Sequence, residues 1–124
     1  MENKAYDLGT IEKITGGKTD RIISYIDLYI DLASVEISGL IKFVEEENWE
    51  ELERTAHKMI AGSGYMGITK LKDLASDIEA KAAMDNPNKE MLQNQVHSAG
   101  DIFESVKAEL LEEKKRLQTL EDQG

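Results

Sequence analysis

The stretch that decides the fold lies in the middle of the chain and reads WEELERTAHKMIAGSGYMG, residues 49–67. Its apolar and small residues recur at steps of three and four, the spacing of the buried stripe of an amphipathic helix. They are Trp49, Leu52, Ala56, Met59, Ser63 and Met66. The pattern predicts a helix over about 48–65 and a turn at Gly67. His57 falls off the stripe, so we expect its side chain to face outward.

The face of this helix that carries His57 has small residues beyond the imidazole. Residues three, four and seven apart stack along one side of a helix, so His57 shares a face with Glu53, Ile60, Ala61 and Gly64. Glycine inside a helix costs about 1 kcal/mol relative to alanine, and this helix has two glycines close together. Two explanations remain open: clearance for a partner that docks on His57, or close approach of a neighbouring helix.

The same region carries a local excess of positive charge. Residues 54–72 include no acidic residue and four basic ones, whereas the whole chain has 15 Lys and Arg against 25 Asp and Glu. The basic residues are Arg54, Lys58, Lys70 and Lys72. Such cations would stabilise a bound phosphate. They are also compatible with ordinary solvated helix surface.

The rest of the chain has helical periodicity as well. A short helix is predicted at about 7–15, and longer helices at about 19–45, 68–84 and 87–120. No strand pattern competes with them. Four amphipathic helices joined by short turns predict an all-α fold, an antiparallel up-down-up-down four-helix bundle with a short extra N-terminal helix. The length of 124 residues fits a single domain over 1–124.

Polar residues mark the predicted helix ends. Asn48, followed by Glu51 three residues later, fits a capping box at the start of the His57 helix. At the last helix we expect Asn86 to cap and Pro87 to take the first helical position. The charged end, residues 112–124, is expected to fray or to project beyond the core.

Composition excludes several classes of function. With no cysteine, the chain has no disulfide framework, thiolate metal site or Cys nucleophile. A formal net charge of −10 argues against nucleic acid or an anionic membrane as the main partner. No apolar run is long enough to cross a bilayer. We therefore expect a soluble, cytoplasmic protein that binds other proteins.

Metal and nucleotide chemistry find little support in the sequence. A metal site shared by Glu53, His57, His97 and Asp101 is conceivable in a helical bundle, but the paired Glu-x-x-His pattern of di-iron bundles is missing. No stretch resembles an ATP-binding loop. We expect no metal in this chain and no ability to phosphorylate itself.

The region around His57 resembles the histidine-containing phosphotransfer (Hpt) domain of bacterial phosphorelays. The resemblance rests on AHKM at 56–59, on Gly62 and Gly67, and on ITKLKDLASDIE at 68–79. It extends to the start of the chain, where YDL at 6–8, Ile11, Ile14 and Gly16-Gly17 look like the leading helix and double-glycine turn of that family. It covers nearly the whole chain. It implies that His57 accepts the phosphoryl group and that the chain turns at Gly67.

Two positions depart from the Hpt pattern. After the histidine and two further residues, the family has Lys and then Gly or Ser, whereas this chain has Ile60 and Ala61 at those places. Neutralisation of the phosphoryl group then falls to Lys58, Arg54 or Lys70. Ile60 either belongs to an apolar docking patch or turns into the bundle. The residues assigned to access and docking are Ile60, Ala61, Gly64 and Glu53.

The resemblance implies a phosphorelay intermediate. His57 would accept a phosphoryl group from a receiver-domain aspartyl phosphate and pass it to another receiver aspartate, since neutral imidazole is a good nucleophile at pH 7. The expected partners are response-regulator receiver domains or a hybrid sensor histidine kinase. Mg²⁺ is expected in the receiver, no cofactor in this domain, and the chain is expected to be a monomer. The alternative is a degenerate, non-catalytic module that binds a receiver or kinase domain without phosphotransfer.

Overall fold

Five helices make up the structure, a computed structural model that describes residues 4–123. They are α1 (Gly9–Thr15), α2 (Thr19–Glu45), α3 (Trp49–Tyr65), α4 (Thr69–Ala82) and α5 (Lys89–Gln123). Among residues 4–123 there is no strand. Helices α2 to α5 form a closed ring, in which α3 contacts α2 and α4, and α5 contacts the same two. The predicted all-α, up-down-up-down bundle with a short leading helix is confirmed.

The stripe read from the sequence of α3 lies in the core of the bundle. Leu52, Ala56 and Met59 are buried there, because residues three and four apart share one helix face. On the facing helices, Tyr29 of α2 meets Phe103 of α5 edge to face, with ring centroids 6.3 Å apart. Burying a side chain of this size contributes about 1.5–3 kcal/mol. None of the five described helices has the length and apolarity needed to cross a membrane.

The turn between α3 and α4 is a Schellman motif centred on Gly67. The Gly67 N–H donates to the Gly64 carbonyl at 3.1 Å, and the Ile68 N–H donates to the Ser63 carbonyl at 2.8 Å. These bonds satisfy the last carbonyls of α3. Gly67 has a φ of +64°, a conformation that favours glycine.

The segment before α1 is fastened to this turn. The Asp7 N–H donates to the Met66 carbonyl at 3.0 Å, and the Asp7 carboxylate accepts the Gly9 N–H at 2.8 Å. Asp7 therefore lies outside the helix, and α1 begins two residues later than the predicted start at 7. Tyr6 and Leu8 are buried on either side of Asp7, so the segment covers one end of the bundle.

The start of α5 differs from the prediction. The Asn88 side chain accepts the Met91 N–H at 3.0 Å, so Asn88 caps the helix where Asn86 was expected to do so. Pro87 precedes this cap and does not occupy the first helical position. Helix α4 is also shorter than predicted, ending at Ala82.

The C-terminal part of α5 stays helical to Gln123 and remains on the core as far as Leu117, beyond which residues 118–123 are exposed. Leu117 is buried, and the nearly buried Glu113 accepts two hydrogen bonds from Arg116, at 2.6 and 2.8 Å. These bonds hold the pKa of Glu113 below its ordinary value. The Ala5 N–H also donates to Glu109 at 3.4 Å. The N-terminal segment and the end of α5 therefore stabilise each other.

Candidate functional site

A side-chain cap marks the start of α3, the helix that carries His57. The Asn48 side chain caps it by accepting the Glu51 N–H at 3.3 Å. The Glu51 carboxylate does not return to Asn48, because it pairs with Arg54 Nη1 at 2.6 Å. Only one half of the predicted capping box therefore forms.

His57 stands on the flank of α3 that faces α4, and its side chain is 73% exposed. Its Nδ1 is hydrogen-bonded to the Glu79 carboxylate of α4. Because a carboxylate accepts, Nδ1 is the nitrogen that carries the proton. No described residue hydrogen-bonds Nε2, which is left for a partner. The ring is thus held at one nitrogen and open at the other.

Glu79 is the residue at this site that the sequence reading missed. The sequence placed Glu53 on the same face, one helical turn before His57, whereas the structure supplies the partner of the imidazole from the next helix. Helices α3 and α4 run antiparallel around Ile68, so positions 57 and 79 lie level with each other. The contact between Lys72 and the Cβ position of Gly64, at 3.9 Å, obeys the same register. Counting outward from the predicted turn at Gly67 would have given Asp77, because the observed register is centred one residue later.

A shallow depression of about 380 Å³ lies beside the imidazole. Its lining consists of Glu50, Glu53, Arg54, His57, Lys58 and Glu79. The Arg54 guanidinium pairs with Glu51 at 2.6 Å and with Glu50 at 3.4 Å. Three carboxylates and two cations therefore surround the histidine, and one of those cations is already engaged.

The other two expected cations, Lys58 and Lys70, differ in their position relative to His57. Lys58 acts on Glu36 of α2: burial raises the pKa of the Glu36 carboxyl, and the positive charge of Lys58 partly offsets that rise. Lys70 is not at the His57 site, because it lines a separate groove between α4 and α5 together with Asp101. Of the three predicted cations, Arg54 and Lys58 therefore line the depression beside His57, whereas Lys70 does not.

The small residues around His57 have different surroundings. Ile60 is half-buried and packs against the core, so it turns into the bundle and forms no exposed patch. Ala61 and Gly64 are exposed and leave the flank of the histidine open. A Cβ on Gly62 would lie 3.7 Å from the Tyr29 ring, so this glycine allows close approach of α2. Close approach of a neighbouring helix therefore explains Gly62, and clearance for a docking partner at Gly64 stays a prediction.

Comparison with known families identifies this arrangement. The family model of the Hpt domain matches residues 24–123, from α2 to the end of α5, and the match includes His57 and Glu79. The chain belongs to the Hpt family. Hpt domains are histidine-containing phosphotransfer modules of two-component systems, and they interact with receiver domains. Searches of curated proteins and of solved structures find no match. The resemblance seen in the sequence is thereby confirmed.

This Hpt domain also exposes an apolar row on α2 that the sequence reading did not single out. The row consists of Tyr25, Leu28, Leu32 and Val35, which recur at steps of three and four and therefore share one face. Val35 is 72% exposed. In α3, Tyr65 is exposed as well, although the pattern gave it no role.

The packing of α2 on α3 places this α2 row relative to the histidine. The Cβ position of Gly39 lies 3.6 Å from Thr55, and that of Gly62 lies 3.7 Å from Tyr29. This antiparallel register sets Leu28 level with Tyr65, and Val35 level with the turn that carries His57. The α2 row therefore lies beside α3 over the length between Tyr65 and the turn that carries His57, while the imidazole stands on the opposite flank, towards α4.

The Hpt bundle does not assemble the metal site considered from the sequence. Helices α3 and α5 lie diagonally opposite in the ring, which separates His57 and Glu53 from His97 and Asp101. Within residues 4–123, no three His, Asp or Glu side chains are grouped to hold a metal ion. His97 is exposed on α5.

Proposed function

We propose that this Hpt domain is a phosphorelay intermediate. His57 Nε2 accepts a phosphoryl group from the aspartyl phosphate of one receiver domain and passes it to the aspartate of another. The observation that carries this proposal is the pair of His57 and Glu79, in which Nδ1 is fixed on a carboxylate while the side chain stays 73% exposed. A nucleophile that must meet a protein partner needs both orientation and access.

Glu79 prepares the imidazole for the reaction. By accepting the Nδ1 proton, it favours the neutral tautomer whose lone pair lies on Nε2 and fixes the plane of the ring. When Nε2 attacks phosphorus, the N–P bond forms and the P–O bond to aspartate breaks, which returns a free carboxylate to the receiver. The ring gains positive charge in this step, and the adjacent Glu79 carboxylate stabilises it. No separate base is required.

The receiver supplies the rest of the chemistry. It brings the acyl phosphate and the Mg²⁺ that neutralises the phosphoryl oxygens, and this domain adds an aligned nucleophile with no cofactor of its own. We further propose that the receiver docks on the α2 row and on Tyr65. Contiguous exposed apolar side chains mark interaction sites, and the row extends to the level of His57 along the bundle.

A second candidate function is a degenerate Hpt module that binds a receiver without taking its phosphate. The observation in its favour is the charge around the depression, where Glu50, Glu53 and Glu79 would face a phosphoryl dianion. Ile60 also stands where the Hpt pattern has its lysine. Like charges at this distance disfavour the phosphorylated state unless a cation intervenes.

Phosphotransfer from a receiver decides between the two functions. A phosphorylated receiver domain with Mg²⁺ is mixed with this protein, and the label is followed together with its chemical stability. We expect label on the protein that is lost in acid and kept in alkali, as for a phosphohistidine. Absence of label across a broad panel of receivers, with measurable binding to one of them, would establish the degenerate module instead.

Replacing Glu79 is expected to slow transfer without unfolding the domain. Leucine removes both the acceptor and the charge, and losing the carboxylate that orients a reactive histidine reduces activity about 10- to 100-fold. Glutamine keeps an acceptor for the Nδ1 proton, so Glu79→Gln should retain an intermediate rate. The control is Glu104→Gln, which removes an exposed carboxylate on α5, diagonally opposite α3. Equal single-turnover rates for Glu79→Leu and the wild type would contradict this role.

Leu32→Glu is expected to weaken receiver binding about tenfold or more, because a charge would be buried at the centre of the proposed contact. Leu32 is exposed, so the melting temperature should change little. Leu111→Glu is the matched control, since Leu111 is exposed on α5, diagonally opposite α3. Isothermal titration with a receiver measures both. If the two variants bound equally, the α2 row would not be the docking surface.

A further inference from the structure

The phosphoryl group proposed for His57 requires a cation that this site does not supply in the usual position. Residue 60, which is lysine in the Hpt pattern, is a half-buried isoleucine. Lys72 of α4 lies against Gly64, two helical turns beyond His57 and so about 10 Å along the axis. Lys70 lines another groove. Lys58 lines the depression beside the imidazole, but it follows His57 by one residue, and residues one apart on a helix do not face each other.

Arg54 is the cation best placed to act on Nε2. It precedes His57 by three residues, so the two side chains are neighbours one turn apart on α3. Side chains on a helix lean towards its N-terminus, which tilts the imidazole towards the turn that carries Arg54. Both residues line the same depression. A phosphoryl group on Nε2 would enter that depression.

The present partners of Arg54 hold it weakly. Its side chain is 55% exposed, and its bonds run to the exposed carboxylate of Glu50 and the half-buried one of Glu51. Exposed ion pairs of this type contribute little to stability. A phosphoryl dianion offers two oxygens to the guanidinium fork and more charge than either carboxylate. Exchange of partners is therefore favourable once His57 carries phosphate.

We propose that Arg54 neutralises the phosphoryl group on His57 by leaving Glu50 and Glu51 for the phosphoryl oxygens. This inference rests on the proposed function. The cation then acts from the N-terminal side of the histidine, one turn before it, whereas the lysine of the Hpt pattern follows the histidine. Glu50 and Glu51 hold the guanidinium within reach while the site is empty.

Chemical phosphorylation tests this role without a receiver. Phosphoramidate is used to phosphorylate His57 in a His97→Gln background, and the phosphorus-31 shift is followed against pH. A neighbouring cation favours the dianion, so Arg54→Gln is expected to raise the titration midpoint by about one pH unit. Arg54→Lys should restore part of the shift, because the charge remains and the fork is lost. Lys115→Gln is the control, since it removes an exposed ion pair with Glu112 on α5.

Transfer from a receiver gives the second readout. We expect Arg54→Gln to shift the equilibrium back towards the phosphorylated receiver about five- to tenfold, and Glu51→Gln to shift it the other way about twofold, because it frees the guanidinium. Identical midpoints for Arg54→Gln, Lys115→Gln and the wild type would overturn the role of Arg54. A wild type that takes no phosphate from any receiver overturns the proposed function instead, while the phosphoramidate titration still reports on Arg54.

Discussion

Gly67→Ala is expected to lower the free energy of unfolding by about 3–4 kcal/mol, the largest stability loss we foresee for a single methyl group in this chain. A Cβ at Gly67 would lie 2.5 Å from the Asp7 carbonyl oxygen and 2.6 Å from the Asp7 nitrogen. Both atoms belong to backbone that is fastened to the turn, so no side chain can move aside. The φ of +64° adds strain for any L-residue.

The loss should spread beyond the turn. Relieving the clash means moving the segment before α1, which breaks the hydrogen bond from Asp7 to Met66 and exposes Tyr6 and Leu8. For a chain of this length, about 3–4 kcal/mol corresponds to a fall in melting temperature of about 10–15 °C. Thermal unfolding followed by circular dichroism measures it.

Gly16→Ala separates the two contributions. Gly16 has nearly the same φ, +66°, but no atom lies within 4 Å of its Cβ position. It should therefore lose only the cost of left-handed strain, about 1–2 kcal/mol. If Gly16→Ala and Gly67→Ala destabilised the domain equally, the close packing of Asp7 on the turn would be wrong.

The features that followed from the sequence are those encoded along a single helix. The stripe through Leu52, Ala56 and Met59 is buried, and His57 is exposed, because both depend only on the helical period of α3. The bundle followed from the number and length of the helices together with the short turns between them. The turn at Gly67 was indicated by a glycine after the last residue of the stripe.

The features that the sequence reading missed depend on contacts between helices. Glu79 reaches His57 only because the hairpin of α3 and α4 turns at one particular residue. If the turn were shifted by one residue, another side chain of α4 would lie opposite His57. The burial of Ile60 reflects the rotation of α3 in the bundle, which periodicity fixes to within about one side chain. The pairing of Arg54 with Glu50 and Glu51 depends on rotamers. The exposed α2 row was not recognised in the sequence, because the buried face of α2 is apolar as well.

His57→Gln is expected to abolish transfer while leaving the fold intact. The side chain is 73% exposed and lies off the buried stripe, and surface substitutions of this kind change stability by about 0.5 kcal/mol or less. Glutamine can still donate a hydrogen bond to Glu79, so the contact between α3 and α4 need not be lost. Its amide has no nucleophilic lone pair, so no N–P bond can form. The melting temperature of the unphosphorylated variant should therefore stay within about 1–2 °C of the wild-type value. The variant should take no label from a phosphorylated receiver.

The second histidine supplies the matched comparison for this experiment. His97 is also exposed on a helix, but that helix is α5, which lies diagonally opposite the helix that carries His57. His97→Gln should therefore keep the full rate of transfer and bind the receiver as the wild type does. Receiver binding by His57→Gln should also persist, because the proposed contact is apolar and spread over α2. Label on His57→Gln, or loss of label in His97→Gln, would mean that His57 is not the phosphoryl acceptor. A large drop in the melting temperature of His57→Gln would instead mean that the imidazole helps to hold the bundle together, and loss of label could then no longer be attributed to chemistry alone.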